Sequence, residues 1–402
     1  MNVWIFNHYA GSPDMQATRS YDLGREMVRR GHDVTIFASS YSHYRQVEER
    51  LAAGDNEMEE HYSGLRFVWL RTFAYHQNDW RRLLNVLTYA WRALVAGLRR
   101  KDRPDVLIGT CVHPLAPLVA YCLSKWKRGT FLYEVTDLWP QTLIDMEELS
   151  PQGVTTRVLR CLERFLFRRS RRIISLLPNV GEYLGEIGLP DKSVWIPNGV
   201  DLSLFADIEP YDGGRDYGFR FMYIGGHASY HRLEKILEAI AVVQDGEQGQ
   251  AEFVFVGGGS EKPRLMELAR ELQLRNVTFR DAVPKNELYL TLGEADALLF
   301  SFRNLELLRY GVSPVKVFDY LCTGRPIIYS MKASNNPVAE SGAGITIEPE
   351  DRDAWVDGIR RILAMTPAER IAMGRKGPEY VKKNHSIELL TDSLEHTLEQ
   401  AC

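Results

Sequence analysis

Short apolar runs recur along nearly the whole chain, each followed by a stretch of helical periodicity, and this alternation leaves few folds open. A first series falls at residues 3–6, 34–37, 65–70, 106–108, 131–135 and 173–176. A second falls at 219–224, 253–256, 277–279, 297–300, 327–330 and 345–347. Strand, helix, strand order requires a crossover between parallel strands, so each series predicts an open α/β sheet. The chain has 402 residues, more than one hydrophobic core usually serves. Between the two series, 195–205 carries Pro and Asn-Gly punctuation, and the acidic, glycine-rich stretch 207–218 has no periodicity. The expected division is a first domain over 1–205 and a second over 206–378. A helix over 379–402, ending an apolar-periodic segment that starts near Pro367, is expected to pack back on the first.

Composition narrows the function classes. A net charge of −4 argues against bulk nucleic-acid binding, so any basic surface is local. The five cysteines are scattered without a C-x-x-C pair, which suggests reduced thiols and no metal-thiolate site. The chain does not open with a basic n-region and an apolar h-region, and no uncharged apolar run reaches about 18 residues. The expectation is a cytoplasmic protein that neither carries a signal peptide nor spans a membrane.

In parallel sheets, ligands sit beyond the carboxyl ends of the strands. That places Asn7, His8 and Gly11 of the loop 7–16 at a candidate site, with Arg19 a weaker one. His113, Glu134 and Asp137 stand at later strand ends, open to acid–base work or to capping alone. In the second half, Gly257, Gly258 and Gly259 follow a strand and precede a helix, the setting of a nucleotide-binding turn, although the spacing is not G-x-G-x-x-G. His227 and His231 lack the Glu of H-E-x-x-H, since Ala228 stands there, so they read as ligand-lining residues beside Arg232 rather than as a metal site.

The segment 309–326 reads as a short helix with its ends written in. Ser313 is an N-cap by type, Pro314 suits the first helical position, and Gly324 with Pro326 closes it. Spacing puts Val315, Phe318 and Cys322 on a packing face, and Lys316, Asp319, Tyr320 and Thr323 on another. A helix start with Lys316 beside it suits a diphosphate. The plain alternative is a core helix with a Lys316–Asp319 surface pair.

Residues 80–101 spell a basic amphipathic helix. Trp80, Leu84, Leu87, Trp91, Leu94 and Leu98 form one stripe, with Arg81, Arg82, Arg92, Arg99, Arg100 and Lys101 around it. Such a helix either lies in an anionic membrane surface, peripherally, or packs its stripe on the sheet. The basic stretch 157–172 would reinforce a basic rim if it lay on the same side.

These residues together resemble the retaining glycosyltransferases of family 4, with the GT-B fold. The resemblance rests on the first loop with Gly11; on Gly31-His32-Asp33-Val34-Thr35; on Ile196-Pro197-Asn198-Gly199-Val200-Asp201; on Phe255-Val256-Gly257-Gly258-Gly259; and on Asn276-Val277-Thr278-Phe279. Asp137-Leu138-Trp139-Pro140 and Gly311-Val312-Ser313-Pro314-Val315-Lys316 with Asp319-Tyr320 are similar to the branch that builds bacterial surface polysaccharides of the O-antigen or capsule type. It implies two Rossmann-like domains facing a central cleft. It implies sugar transfer from an NDP-sugar, expected to be a UDP-sugar, to a glycan or lipid-diphosphate-linked acceptor, with no cofactor and no metal. The implied donor contacts are Gly11, Gly226, His231, Gly257, Gly258, Gly259, Ser313, Pro314, Val315 and Asp319. His113, Lys316 and Arg232 are the expected catalytic groups, and His8, Glu134 and Asp137 the acceptor-side candidates. The sequence departs from the family at the position of its first glutamate, here Gly311, and shortens the second to Asp319. The family's diphosphate-binding Arg and Lys correspond to Gly226 and His231, which leaves Arg232 and Lys316 as replacements. Two rivals stay open: a UDP-sugar 2-epimerase, and a noncatalytic nucleotide-sugar-binding partner of an envelope assembly complex.

Overall fold

The computed structural model describes residues 1–402 apart from 16, 44, 77–79, 216–217 and 245–250. The end of the expected first loop and part of the stretch 207–218 therefore lie outside the described residues. The chain forms two parallel-sheet α/β units, as the alternation predicts: Met1–Asn198 with Ile387–Cys402, and Gly199–Ser386.

The first unit holds β1 (Asn2–Phe6), β2 (Asp33–Ser39), β3 (Tyr41–Ser42), β4 (Val47–Glu48), β5 (Glu57–Tyr62), β6 (Leu65–Leu70), β7 (Val106–Cys111), β8 (Thr130–Val135), β9 (Ile173–Ser175) and β10 (Ser193–Trp195). Eight of them make one sheet in the order β10-β9-β8-β7-β1-β2-β6-β5, and β3 pairs only with β4. Register aligns apolar residues in rows, Val3 beside Val34 and Val106, and Ile5 beside Ile36 and Ile108. All six are buried, each stabilising by roughly 1.5–3 kcal/mol if fully removed from water. The edge strand β5, Glu-Met-Glu-Glu-His-Tyr, escapes the sequence reading because it is charged and never deeply buried. It joins β6 antiparallel through Ser63-Gly64, both with positive φ, the geometry of a two-residue hairpin turn.

Helices cover this sheet on both faces. Arg19–Arg29 packs with the C-terminal helix Ile387–Ala401, where Leu390, Leu394 and Leu398 join Leu23 and Met27 in one core. Arg30 fastens this contact through Asp392 and Glu395, each at 2.5 Å. The β7 to β8 connection runs opposite in direction to β1 to β2, so right-handed crossovers carry Leu115–Lys127 to the other face. Trp80–Arg99 packs along it there, with Gly97 fitted against Leu123, and Val154–Arg169 follows through a Tyr121–Phe165 ring contact at 5.3 Å. The side of Trp80–Arg99 turned inward is Asn85, Tyr89, Ala93, Ala96 and Gly97. The tryptophan-leucine stripe thus does not pack on the sheet.

The second unit is one all-parallel sheet of β11 (Arg220–Ile224), β12 (Glu252–Val256), β13 (Val277–Arg280), β14 (Ala297–Ser301), β15 (Ile327–Ser330) and β16 (Gly344–Ile347), in the order β13-β12-β11-β14-β15-β16. The boundaries expected at 205 and 379 both need correction. Val200 is buried in this unit's core, and Phe205 meets the Tyr289 ring at 4.7 Å, which claims 199–205. Buried Val381 and His385, stacked on Phe318 at 4.0 Å, claim 379–386. The two crossing points are themselves tied: Val200 N–H donates to His385 O at 2.9 Å, and Val200 pairs with Ser386.

Candidate functional site

Each sheet reverses its strand order at one place, and a polar cluster stands at each reversal. In the second unit the reversal lies between β11 and β14. Beyond β11 the chain continues as Gly225-Gly226-His227, and beyond β12 as Gly257-Gly258-Gly259. The two turns stay paired past the strands. Gly225 N–H donates to Val256 O at 2.9 Å, and His227 N–H to Gly258 O at 2.8 Å. This approach needs glycine: Gly257 has φ +144°, and a Cβ there would overlap Gly225 O. Lys262 fastens the turn from below, its Nζ bonding Gly257 O at 2.9 Å, Arg280 O at 2.8 Å and Asp281 at 2.7 Å.

The helix at 309–326 needs two corrections. It spans Val315–Cys322, and Pro314, with ψ 107°, flanks it in place of Ser313, with no side-chain cap. The proline's extended backbone shifts the start one residue on. Its packing is wider than the spacing implies: Val317, Phe318, Tyr320, Leu321 and Cys322 are buried, whereas Val315 is exposed. Tyr320, expected on the ligand side, is instead an anchor. Its hydroxyl donates to Ile224 O at 2.9 Å and accepts from Ile224 N–H at 2.8 Å, pinning the helix to the end of β11. Upstream, Asn335 holds both Val312 N–H and Val312 O.

That anchor sets Lys316. Its Nζ donates to the Tyr223 hydroxyl at 2.8 Å, and Tyr223 in turn donates to Gly226 O at 2.7 Å. The ammonium also lies 4.4 Å from the Tyr223 ring centroid. Among the described residues no carboxylate pairs with it, and burial pushes its pKa down to about 7. It does not make the surface pair with Asp319 that the plain reading allows.

Other expected contacts fare unequally. Gly226 and Gly258 border open space, with nothing within 4 Å of where a Cβ would stand. His231 is buried, its Nδ1 3.2 Å from Ser301 O across the strand-order reversal; burial, with Lys316 nearby, lowers its pKa to about 3. It is neutral at ordinary pH and cannot replace a lysine as a phosphate cation. Arg232, expected to be free for a diphosphate, ion-pairs with Glu350 at 3.0 Å and Glu234 at 3.2 Å. Its charge is already balanced. His227 is fully buried with both ring nitrogens unpartnered, and burial, with Lys262 and Lys316 nearby, lowers its pKa to about 4. Among the described residues no group of three or more His, Cys, Asp or Glu is placed to hold a metal ion.

In the first unit the reversal lies between β1 and β7, whose carboxyl ends carry His8 and His113. Their rings meet, His8 Nδ1 2.7 Å from His113 Nε2, and His8 stacks on Tyr89 at 4.2 Å. Burial lowers both pKa values, that of His113 to about 3, so the pair is neutral and shares one hydrogen bond. Gly11 N–H donates to Ala17 O. Glu134 is not free for acid–base work: one oxygen pairs with Arg19 Nε at 3.0 Å and the other accepts from Thr110 at 2.6 Å. Arg19 goes on to hold the carbonyls of Ile196 and Pro197. Asp137 is exposed beyond β8.

Sequence reasoning missed Tyr223, Gly225 and Lys262. Gly225-Gly226 directly after a strand, mirroring Gly257–Gly259 after the next, was the available signal. Nothing local marks Tyr223 or Lys262, whose roles arise from neighbours far along the chain.

Comparison with known proteins bears on what this arrangement serves. Residues 16–199 match a family model described as a Glycosyl transferase 4-like domain, and residues 218–365 one described as Glycosyl transferases group 1. WbjE, a probable glycosyltransferase of Pseudomonas aeruginosa, is 24% identical over 269 residues, 63% of this chain and 64% of WbjE. That match spans less than two thirds of the relative's length. WcaI of Escherichia coli (strain K12), a putative colanic acid biosynthesis glycosyl transferase, is 22% identical over 395 residues, 90% of this chain and 92% of WcaI. Among solved structures, Anabaena HepE in complex with UDP and glucose is similar with a TM-score of 0.69 and 14% identity, over 99% of each chain.

Proposed function

Because the chain belongs to the glycosyltransferases with the GT-B fold, of the family 4 type, we propose that it moves a sugar from a nucleoside diphosphate donor with retention at the anomeric carbon. The donor nucleotide is UDP, and the acceptor is a glycan or lipid-diphosphate-linked glycan in bacterial surface polysaccharide synthesis. The name of WcaI and the UDP bound in HepE support this reading.

The observation that carries it is Lys316: an ammonium without a carboxylate partner, fixed beside two paired glycine turns at the reversal of strand order. In the reaction the bond from the anomeric carbon to the phosphate oxygen breaks as the bond to the acceptor oxygen forms on the same face. The acceptor proton leaves with the departing phosphate. Negative charge grows on that phosphate, so Lys316 and the N–H groups opening Val315–Cys322 stabilise the transition state more than the ground state. The open space at Gly226 and Gly258 leaves backbone rather than side chain to meet the diphosphate. Asp319 takes the ribose, and the neutral His8–His113 pair offers a hydrogen-bonding edge for a sugar hydroxyl.

Replacing Lys316 by Ala tests the reading. UDP affinity should fall about tenfold to a hundredfold, the scale of one lost charge-assisted hydrogen bond. Turnover of a UDP-sugar panel with membrane extract, in the presence of a chelator, should fall at least as far, and the wild-type product should keep the donor's anomeric configuration by NMR. Unchanged UDP affinity would remove the assigned role, and an inverted product would remove retention.

A further inference from the structure

The helices Trp80–Arg99, Leu115–Lys127 and Val154–Arg169 share one face of the first unit's sheet, and their charge is lopsided. Together they carry eleven Arg and Lys residues in a chain whose net charge is −4. Their single acid, Glu163, is buried, accepts a hydrogen bond from Tyr183 at 2.7 Å and has its pKa raised to about 8 by burial. No exposed acid interrupts these helices. Arg100, just past the first helix, is paired with Glu59.

The same face is apolar where a soluble surface would be polar. Trp80 is 64% exposed and Trp91 66%, with Leu83, Leu87 and Leu98 also exposed along that helix. Val154, Val158, Cys161 and Phe165, at helical spacing, form a second exposed stripe, flanked by Arg157, Arg164, Arg168 and Arg169. At the end of the middle helix Trp126, 72% exposed, shares one open depression with Arg100, Lys101, Arg103, Lys127 and Arg128. Indole rings among guanidinium and ammonium groups are the composition of a surface that lies at the level of lipid headgroups. No helix of the described residues is long and apolar enough to cross a membrane.

We propose that this three-helix face docks flat on an anionic lipid bilayer, with Trp80, Trp91 and Trp126 entering the headgroup boundary. A second copy of the chain is the other occupant an apolar face invites. Charge excludes it as the first choice, because pairing the face with itself would oppose cations with no exposed acid on the helices to receive them. The docking does not depend on the donor reading, since vesicle binding is scored without turnover.

The test uses the full chain with phosphatidylcholine vesicles, with and without phosphatidylglycerol. Binding is expected only to the anionic vesicles, weakening with salt, with tryptophan emission shifting to the blue. Combining Arg157→Glu, Arg164→Glu and Arg168→Glu should lower the partition coefficient about a hundredfold or more, whereas Lys at the same positions should retain it. Trp80→Ser, Trp91→Ser and Trp126→Ser together should abolish the blue shift. An unchanged melting curve and far-UV circular dichroism spectrum show that each variant is folded. Equal binding to neutral vesicles, no binding to either, or a dimer that the Trp variants dissociate would each overturn the proposal.

Discussion

Lys316 lies directly over the backbone of Gly225, so closely that a Cβ on Gly225 would overlap the ammonium nitrogen. Gly225 has φ +151°, a conformation that side-chain-bearing residues rarely adopt, and the two features require one another. The lysine reaches Tyr223 only because the residue that follows the strand, Gly225, has no side chain. With no side chain at Gly226 and His231 neutral, Lys316 is the cation on which the proposed diphosphate contact rests.

Donor affinity should therefore depend on pH near neutrality. Lys316 is lowered to about 7 from its ordinary 10.5, so the free protein progressively loses the ammonium above that pH. A bound diphosphate restores it, and binding takes up about one proton at mildly alkaline pH. A UDP-sugar is the right probe, because its diphosphate is esterified at both ends. Calorimetry in buffers of different ionisation enthalpy should show the uptake, with affinity falling toward about tenfold per pH unit above neutrality. In the unliganded protein the unfolded chain binds more protons at this residue between about 7 and 10.5, so its contribution makes stability rise with pH across that window. A flat affinity profile without proton uptake would mean that another group meets the phosphates.

Gly226→Arg should strengthen UDP binding. Nothing lies within 4 Å of the added Cβ, so the substitution costs little room and places a cation where the family resemblance leads one to expect it. About a tenfold gain is expected from one charge-assisted contact, with Gly226→Met as the control of similar length. If both variants bind as the parent does, the diphosphate does not pass this turn.

Arg19 and Glu134 should behave as a structural pair. Each side chain is nearly buried, so losing either alone should cost roughly 3 kcal/mol, and the double variant should cost less than the sum. Denaturant titration of the four proteins measures the coupling. Should Glu134→Gln abolish turnover with stability intact and the pH profile changed, an acid–base role for Glu134 would return.

Much of the fold was legible because burial writes itself locally. Most of the parallel strands are buried and read as unbroken apolar runs, and the twelve apolar runs appear as strands within a residue or two on most ends. The edge strand Glu57–Tyr62 did not, since a charged strand with half its side chains in water carries no such signal. Domain ends also slipped. Residues 199–205 and 379–386 look like linker and terminal helix until Tyr289 and Phe318, distant in sequence, supply their partners.

The candidate site divides the same way. Residue types and strand-end positions alone marked His8, His113, the three glycines 257–259 and Lys316, because loop positions beyond parallel strands and unpaired charges near a helix start are local properties. Which of them keep an available charge or an open edge was decided only by tertiary structure. Arg232 and Glu134 are cancelled by Glu350 and Arg19, His231 is held neutral by burial, and Lys316, unlike Arg19, Arg232 and Lys262, has no carboxylate partner among the described residues. Charge compensation and desolvation depend on what lies within a few ångströms, and those neighbours come from segments up to about a hundred residues away, where no local pattern reaches.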